Sequence, residues 1–378
     1  MSDIVYIRAN FHDSTAAIPR AIEASGGLFE TTRILCWDRT RSNLPPFEIV
    51  DGVEIRRFKW AGASRSLTIL FGLFCFQLWL SYHLLRIRPR VIQFLDFESM
   101  VPSCFVGLCL RAKIIYDMRD PFAYCYNFPT PVRYVAYATD WIGMALCSAF
   151  VIPLEERRSY LGCWGQGKKP VGVILNVCPD ELETLPCKSK VIVENGIRRV
   201  KIGYLGYLSP SRAGFILIDL SNKCPNRLEL YVAGTLRFPT LAAQIRQNPH
   251  LHFFGHLPRP DALALMRDVD VISLLSDPSL PGNWTLAPNK FYEALSLGTP
   301  VLVERQMSIS RCVEENGLGW VVDYGNMEQL QDVIQDLHDT DRLAQIRKRC
   351  RTFYLRHFSY DTVLAKYREF YELLLNKS

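Results

Sequence analysis

The residues best arranged for chemistry lie between positions 287 and 303: Ala-Pro-Asn-Lys-Phe-Tyr-Glu-Ala-Leu-Ser-Leu-Gly-Thr-Pro-Val-Leu-Val. Pro288 suits the entry to a helix, where a missing N–H costs little. Gly298 stops that helix, and Val301-Leu302-Val303 begins a buried strand. Lys290 and Glu293 stand three apart in the first turns and so share a face. The first N–H groups of a helix are unpaired and favour an anion. A lysine adds positive charge there, and a carboxylate one turn on can accept from sugar hydroxyls. Those are the parts needed to hold a nucleoside diphosphate by its phosphates and its ribose.

A second anion-binding element is the loop Gly206 to Gly214, which follows a strand and precedes a helix. Its backbone N–H groups are expected to face a phosphate. Arg212 is the only cation in that loop, and with Lys290 it is expected to neutralise the diphosphate. A charge-assisted contact of this kind contributes roughly 1.5–3 kcal/mol. Acidic residues collect in the first half of the chain. The strand Val91 to Leu95 delivers Asp96 and Glu98, and Ile114 to Tyr116 delivers Asp117 and Asp120. In open α/β sheets ligands gather at the carboxyl ends of strands. Asp120 and Asp117 are therefore candidates to take a proton from an acceptor hydroxyl, although acids beside Arg119 also suit a structural ion pair. His12 is a third catalytic candidate. Asp13, Asp96 and Glu98 are acceptor-side candidates.

These residues need rigid elements to hold them. Ile4 to Ile7, Thr32 to Trp37 and Val53 to Phe58 read as short strands, with a helix over 15–25, so the chain opens as a doubly wound α/β domain. A mixed stretch with Pro179 and Pro186 reads as a linker. A second α/β alternation then begins at Lys201 and includes strands at Leu228 to Ala233, Leu251 to Phe254 and Val269 to Leu274. The expected domains are 1–185, on the acceptor side, and 195–355, on the donor side, with a last helix over 356–378 returning to the first domain. Two Rossmann-like domains facing a cleft is the expected architecture. No G-x-G-x-x-G follows the first strand, which argues against a nicotinamide enzyme.

The segment Pro-Asn-Lys-Phe-Tyr-Glu-Ala-Leu-Ser-Leu-Gly-Thr-Pro-Val-Leu-Val-Glu resembles the donor-site segment of family 4 glycosyltransferases, which have the GT-B fold. The strand-and-glycine series Ile-Gly-Tyr-Leu-Gly, Leu-Tyr-Val-Ala-Gly and Phe-Phe-Gly-His-Leu is similar to the C-terminal half of that family. The resemblance covers about residues 200 to 304 and weakens before them. It implies that Glu293 binds the donor ribose, that Asn289 and Lys290 belong to the donor site, and that Gly206 opens the phosphate loop. Relatives carry two basic residues in that loop, where this chain has Tyr207 and Ala213. Many also carry a first glutamate at the position of Thr285, which can offer a hydroxyl but no carboxylate. Asp117-Met118-Arg119-Asp120 resembles an element of capsule and exopolysaccharide transferases. The resemblance thus implies a hexosyl transfer from a nucleotide-diphosphate sugar to a glycan or lipid-linked glycan acceptor, with a retaining outcome, in surface polysaccharide synthesis. GT-B enzymes need no D-x-D metal motif, so neither metal nor other cofactor is expected. A non-catalytic GT-B relative and a nucleotide-sugar epimerase are the alternatives.

Composition sets the remaining bounds. Of the 378 residues, 49% are hydrophobic and 22% charged, which is a folded protein rather than a disordered one. The net charge of +6 is too small and too spread to argue for nucleic acid. The twelve cysteines have no C-x-x-C pair and suit a reducing compartment. No signal peptide is read at the N-terminus. Leu67 to Leu85 is long and apolar enough to cross a bilayer, but Gln77, Ser81 and His83 interrupt it, and Arg86, Arg88 and Arg90 follow. It reads as an interfacial helix over 67–90 at the inner face of a membrane, or as a helix buried in the protein.

Overall fold

A computed structural model of the chain describes residues 3–10, 17–39, 42–60, 67–119, 122, 129–185 and 198–376. His12, Asp13 and Asp120 lie outside these residues. Contacts divide the chain into two units, residues 1–175 with 361–378, and residues 176–360.

The first unit is built on eight strands: β1 (Asp3–Arg8), β2 (Thr31–Asp38), β3 (Phe47–Val50), β4 (Val53–Lys59), β5 (Val91–Phe94), β6 (Lys113–Asp117), β7 (Ala149–Ile152) and β8 (Val171–Val173). They form one sheet in the order β3-β4-β2-β1-β5-β6-β7-β8, parallel except for the β3–β4 pair. Asp51 and Gly52 have φ of 49° and 80°, the two positive values a tight hairpin turn demands. The strand order reverses between β1 and β5, which opens a crevice at their carboxyl ends.

Among the described residues, the α-helices that precede or interleave these strands are α1 (Ala17–Ser25), α2 (Leu67–Ile87), α3 (Met100–Cys109) and α4 (Thr130–Leu146). Alternate strand residues, among them Val5, Trp37, Phe94 and Tyr116, pack against Phe76, Leu80 and Leu84 of α2, Met100 of α3 and Met144 of α4. The α2 positions are four apart, so they form one stripe. Burying such side chains contributes about 1.5–3 kcal/mol each. Gly143 of α4 lets Met100 come close, since a Cβ there would overlap its side chain. The helix over 67–87 is therefore held to the sheet along one stripe flanked by partly buried residues such as Leu73 and Trp79, and its outward side chains, such as Phe71 and Phe74, stay exposed. This corrects the option of a helix buried inside the protein.

The second unit has a sheet of six parallel strands: β9 (Val200–Leu205), β10 (Leu228–Ala233), β11 (Leu251–Phe253), β12 (Val271–Ser273), β13 (Val301–Glu304) and β14 (Gly319–Val322). Their order is β11-β10-β9-β12-β13-β14, the order of dinucleotide-binding domains, with its reversal between β9 and β12. The helices are α5 (Gly214–Lys223), α6 (Pro239–Gln247), α7 (Arg259–Asp268), α8 (Asn289–Ser296), α9 (Ser310–Asn316), α10 (Met327–Leu337) and α11 (Thr340–His357).

The last helix, α12 (Tyr360–Asn376), packs on the first sheet. It meets the strand residues that alternate with those facing α2 to α4. Tyr371 Oη donates to Gln93 Oε1 at 2.6 Å, and Gln93 Nε2 donates to Tyr367 Oη at 2.6 Å and to Asp117 Oδ2 at 3.0 Å. Arg119 Nη2 donates to the same Asp117 oxygen at 2.7 Å. Asp117 is fully buried. The sequence placed it at an open strand end as a candidate base. The structure places it inside this network, where the inward side of β6 carries it under α12.

Candidate functional site

The donor-side residues meet at the reversal point of the second sheet. The peptide leaving β9 passes through Gly206 at φ 122°, and the one leaving β10 passes through Gly234 at φ 132°. Both values fall where a Cβ is strained. A Cβ on Gly234 would overlap the Gly206 carbonyl, and a Cβ on Gly206 would stand 2.5 Å from Lys290 Nζ. The two glycines thus let adjacent strand ends touch and let the lysine head lie across them. Gly234→Ala is expected to destabilise the protein by at least ~1–3 kcal/mol through backbone strain alone. An unchanged urea midpoint would contradict this account of the turn.

Lys290 is in the first turn of α8, half-buried. The turn before it is held by Asn176 Nδ2, which donates to Ala287 O at 2.9 Å. Lys290 and Arg212 line one cavity of about 30 Å³ with Tyr204, Ser273, Ser276 and Met307, room for about one water. Burial, with Arg212 close by, holds the Lys290 ammonium below the ordinary lysine range, although Glu293 opposes this. Arg212 Nη1 reaches Ser276 Oγ at 3.4 Å across the reversal. Two cations, one from the turn after β9 and one from the first turn of α8, therefore converge on one small cavity, and Arg212 makes the Lys290 charge costlier to hold.

The loop after β9 spends part of its amides inside the protein. The N–H groups of Gly206, Leu208, Arg212 and Gly214 donate to the carbonyls of Ala233, Thr235, Ser209 and Ser209. Those four amides are spent within the protein, and the Arg212 guanidinium is the charged donor that the loop offers an anion. Glu293 also has a partner the sequence did not suggest. Arg259 Nη1, at the start of α7, donates to Glu293 Oε1 at 2.8 Å, and the same guanidinium meets Glu181 at 2.9 Å. The pairing aims the Glu293 carboxylate and occupies one of its oxygens. Asn289 opens α8, and Thr285 stands in the turn two residues before Ala287. The only sequence signal for Arg259 is its place between two prolines at a helix start.

The acceptor-side acids that the structure describes meet at the reversal point of the first sheet. Asp96 Oδ2 accepts from the Ala9 N–H at 2.8 Å and lies 3.9 Å from Arg8 Nε. Glu98 Oε1 accepts from Arg39 Nη2 at 3.3 Å, and that guanidinium stacks 4.4 Å from the Trp37 ring. Burial pushes the Asp96 carboxyl up to about 6 against the opposing pull of Arg8. A quarter of its side chain still meets solvent. Among the described residues no cluster of His, Cys, Asp and Glu is arranged to hold a metal ion.

Comparison with known proteins meets the donor-side unit directly. Residues 199–340 match the family Glycosyl transferases group 1. The putative colanic acid biosynthesis glycosyltransferase WcaL of Escherichia coli (strain K12) is 29% identical over 117 residues, 30% of this chain. The chain spans 29% of the length of that curated relative. Sucrose-phosphate synthase (tll1590) from Thermosynechococcus elongatus superposes with a TM-score of 0.77 at 14% identity, over 100% of each chain. Anabaena Alr3699/HepE, solved in complex with UDP and glucose, gives 0.71 at 16% identity over 99% of this chain and 100% of that one. The fold is thus that of GT-B glycosyltransferases, two Rossmann-type units. The family description and the WcaL name are those of glycosyltransferases, so the epimerase and the non-catalytic relative are not favoured.

Proposed function

We propose that this protein transfers a sugar, most simply a hexose, from a nucleotide-diphosphate sugar to a glycan or lipid-linked glycan. The reading takes the outcome as retaining and the product as part of a surface polysaccharide, made by a peripheral protein at the inner face of a membrane through residues 67–90. The observation that carries it is the meeting of Lys290 and Arg212 at the reversal between β9 and β12. These two cations have been drawn together with Glu293 as the nearby acid, and one oxygen of that acid already serves Arg259. A diphosphate supplies the missing negative charge, and the N-terminus of α8 adds its own preference for an anion. The remaining oxygen of Glu293 then accepts from ribose and Thr285 from a sugar hydroxyl, and Asn289 opens the helix that carries Lys290. No metal is needed for this charge balance, because the two side chains and the helix supply it.

On the acceptor side, Asp96 is the described residue best placed to take the hydroxyl proton. It is ionised at neutral pH, and its raised value suits a base that works near neutrality. His12, Asp13 and Asp120 stay candidates for the same side. Calorimetry with UDP, GDP, ADP and CMP tests the donor reading on the full chain. One diphosphate is expected to bind, and Glu293→Ala to weaken it at least tenfold while melting temperature holds. Arg259→Ala separates the two roles of the carboxylate: a loss as large as that of Glu293→Ala would mean the pair only braces α8. Failure of every nucleotide to bind would sink the reading.

A further inference from the structure

We propose that α2, α3 and α4 together form a docking platform for an anionic lipid bilayer, extending the membrane reading of residues 67–90 on which this rests. The three helices cover one face of the first sheet and pack side by side, α2 on α3 and α3 on α4. Their inward stripes are buried. Their outward sides are apolar too: Phe71, Phe74 and Leu78 of α2, Phe105 of α3, and Val135 and Ile142 of α4 are each more than half exposed. Isolated exposed apolar residues are ordinary, but neighbouring helices that all present them mark a surface meant to be covered. Only α2 is long and apolar enough to suggest this on its own.

Charge selects the occupant. Segments 67–87, 100–109 and 130–146 contain one acidic residue between them, Asp140, and it is buried with its Oδ2 accepting from Tyr160 at 2.7 Å. The platform therefore exposes no carboxylate. Cations gather where the helices end: Arg86, Arg88 and Arg90 around the end of α2, Arg111 just past α3, and Lys168 beside the Lys169 that caps the last carbonyls of α4. All five are exposed and none makes a salt bridge among the described residues. An apolar face edged by cations without a salt bridge among the described residues, and free of anions, matches lipid tails edged by anionic headgroups, with each such cation adding about 1 kcal/mol near the surface. The opposite ends of the helices lead to the acids. Asp96 precedes the first residue of α3 by four positions, so the platform brings the Asp96 and Glu98 cluster to the edge of the bilayer. An acceptor anchored in that bilayer can then reach it without leaving the lipid.

Sedimentation of the full chain with vesicles of phosphatidylcholine, with and without phosphatidylglycerol, tests this. Binding is expected only with phosphatidylglycerol and is expected to fall as salt rises. The variant Phe105→Ser, Val135→Ser, Ile142→Ser, which lies wholly outside α2, is expected to lower the bound fraction by ~10-fold or more through lost apolar contact. The surface variant Arg88→Glu, Arg111→Glu touches no packing and is expected to do the same, which covers the case in which the triple variant does not fold. Nucleoside diphosphate affinity in solution is expected to be unchanged in both, so the donor reading stands or falls separately. Vesicle binding lost on Phe71→Ser, Phe74→Ser but kept in both other variants would leave α2 as the sole contact and overturn the platform. Equal binding to phosphatidylcholine alone would overturn the role of the cations. Dimerisation without lipid, abolished by the triple variant, would give the face to a second copy of the chain instead.

Discussion

Lys290→Met is expected to weaken nucleoside diphosphate binding by roughly 10- to 100-fold, the loss of one charge-assisted contact of about 1.5–3 kcal/mol. Methionine keeps the length of the stem and its packing across Gly206, so the change isolates the charge. The free protein is expected to lose nothing in melting temperature, because burial and Arg212 already disfavour the ammonium there. The same physics gives a pH signature. A lysine held below its ordinary range is restored when a diphosphate arrives, so binding takes up protons once the pH passes the depressed value. Affinity then falls on the alkaline side earlier than an ordinary lysine would allow, and the binding enthalpy depends on the ionisation heat of the buffer. Both effects should vanish in Lys290→Met. If the wild type and Lys290→Met bind alike and neither links to protons, the lysine only packs over the glycine turn and the phosphate grip lies elsewhere.

Much of this was legible in the chain because the donor-side unit follows local rules. The β13 strand, the α8 helix and the stop at Gly298 follow from a proline, a glycine and a run of apolar residues, and the structure has them at Asn289–Ser296 and Val301–Glu304. The β3–β4 hairpin was just as local, since Asp51-Gly52 between apolar runs is a strong turn signal, yet only β4 was expected. What could not be read was pairing at long range. Nothing near Glu293 in sequence points to Arg259, thirty-four residues away, or to Glu181 beyond it. Asp117 looked like a site residue because it ends a strand, but which face of β6 it takes depends on α12 arriving from the far end of the chain. Two amides of the Gly206 loop, those of Gly206 and Leu208, looked available because their carbonyl partners, Ala233 and Thr235, belong to the next strand and its turn. The exposed side of α2 is a further case: its composition is apolar all round, and only the packing reveals which stripe stays uncovered.

Asp96→Asn is expected to cut turnover by ~10²- to 10⁴-fold, the usual worth of a positioned base, while leaving nucleoside diphosphate affinity intact. The wild-type kcat/KM is expected to rise with pH through about 6 and level off above it, since the carboxylate is the active form. That step should be missing in the asparagine variant. Stability supplies an independent check with the opposite sign. A carboxyl raised from 3.8 to about 6 in the folded state stabilises the fold fully below 3.8 and loses that contribution as the pH rises through 6. Two pKa units correspond to a ceiling of about 3 kcal/mol, and the exposed quarter of the side chain together with the Arg8 left behind reduces it to about 1 kcal/mol. Asparagine cannot ionise and its amide oxygen can still accept from Ala9, so at neutral pH the variant should melt no lower than the wild type and is expected to melt higher. A residue there for structure would behave in reverse, with stability lost and activity kept. A carboxylate that costs stability at the pH where the protein works, at the point where the strand order reverses, is what a reacting group looks like before its substrate arrives.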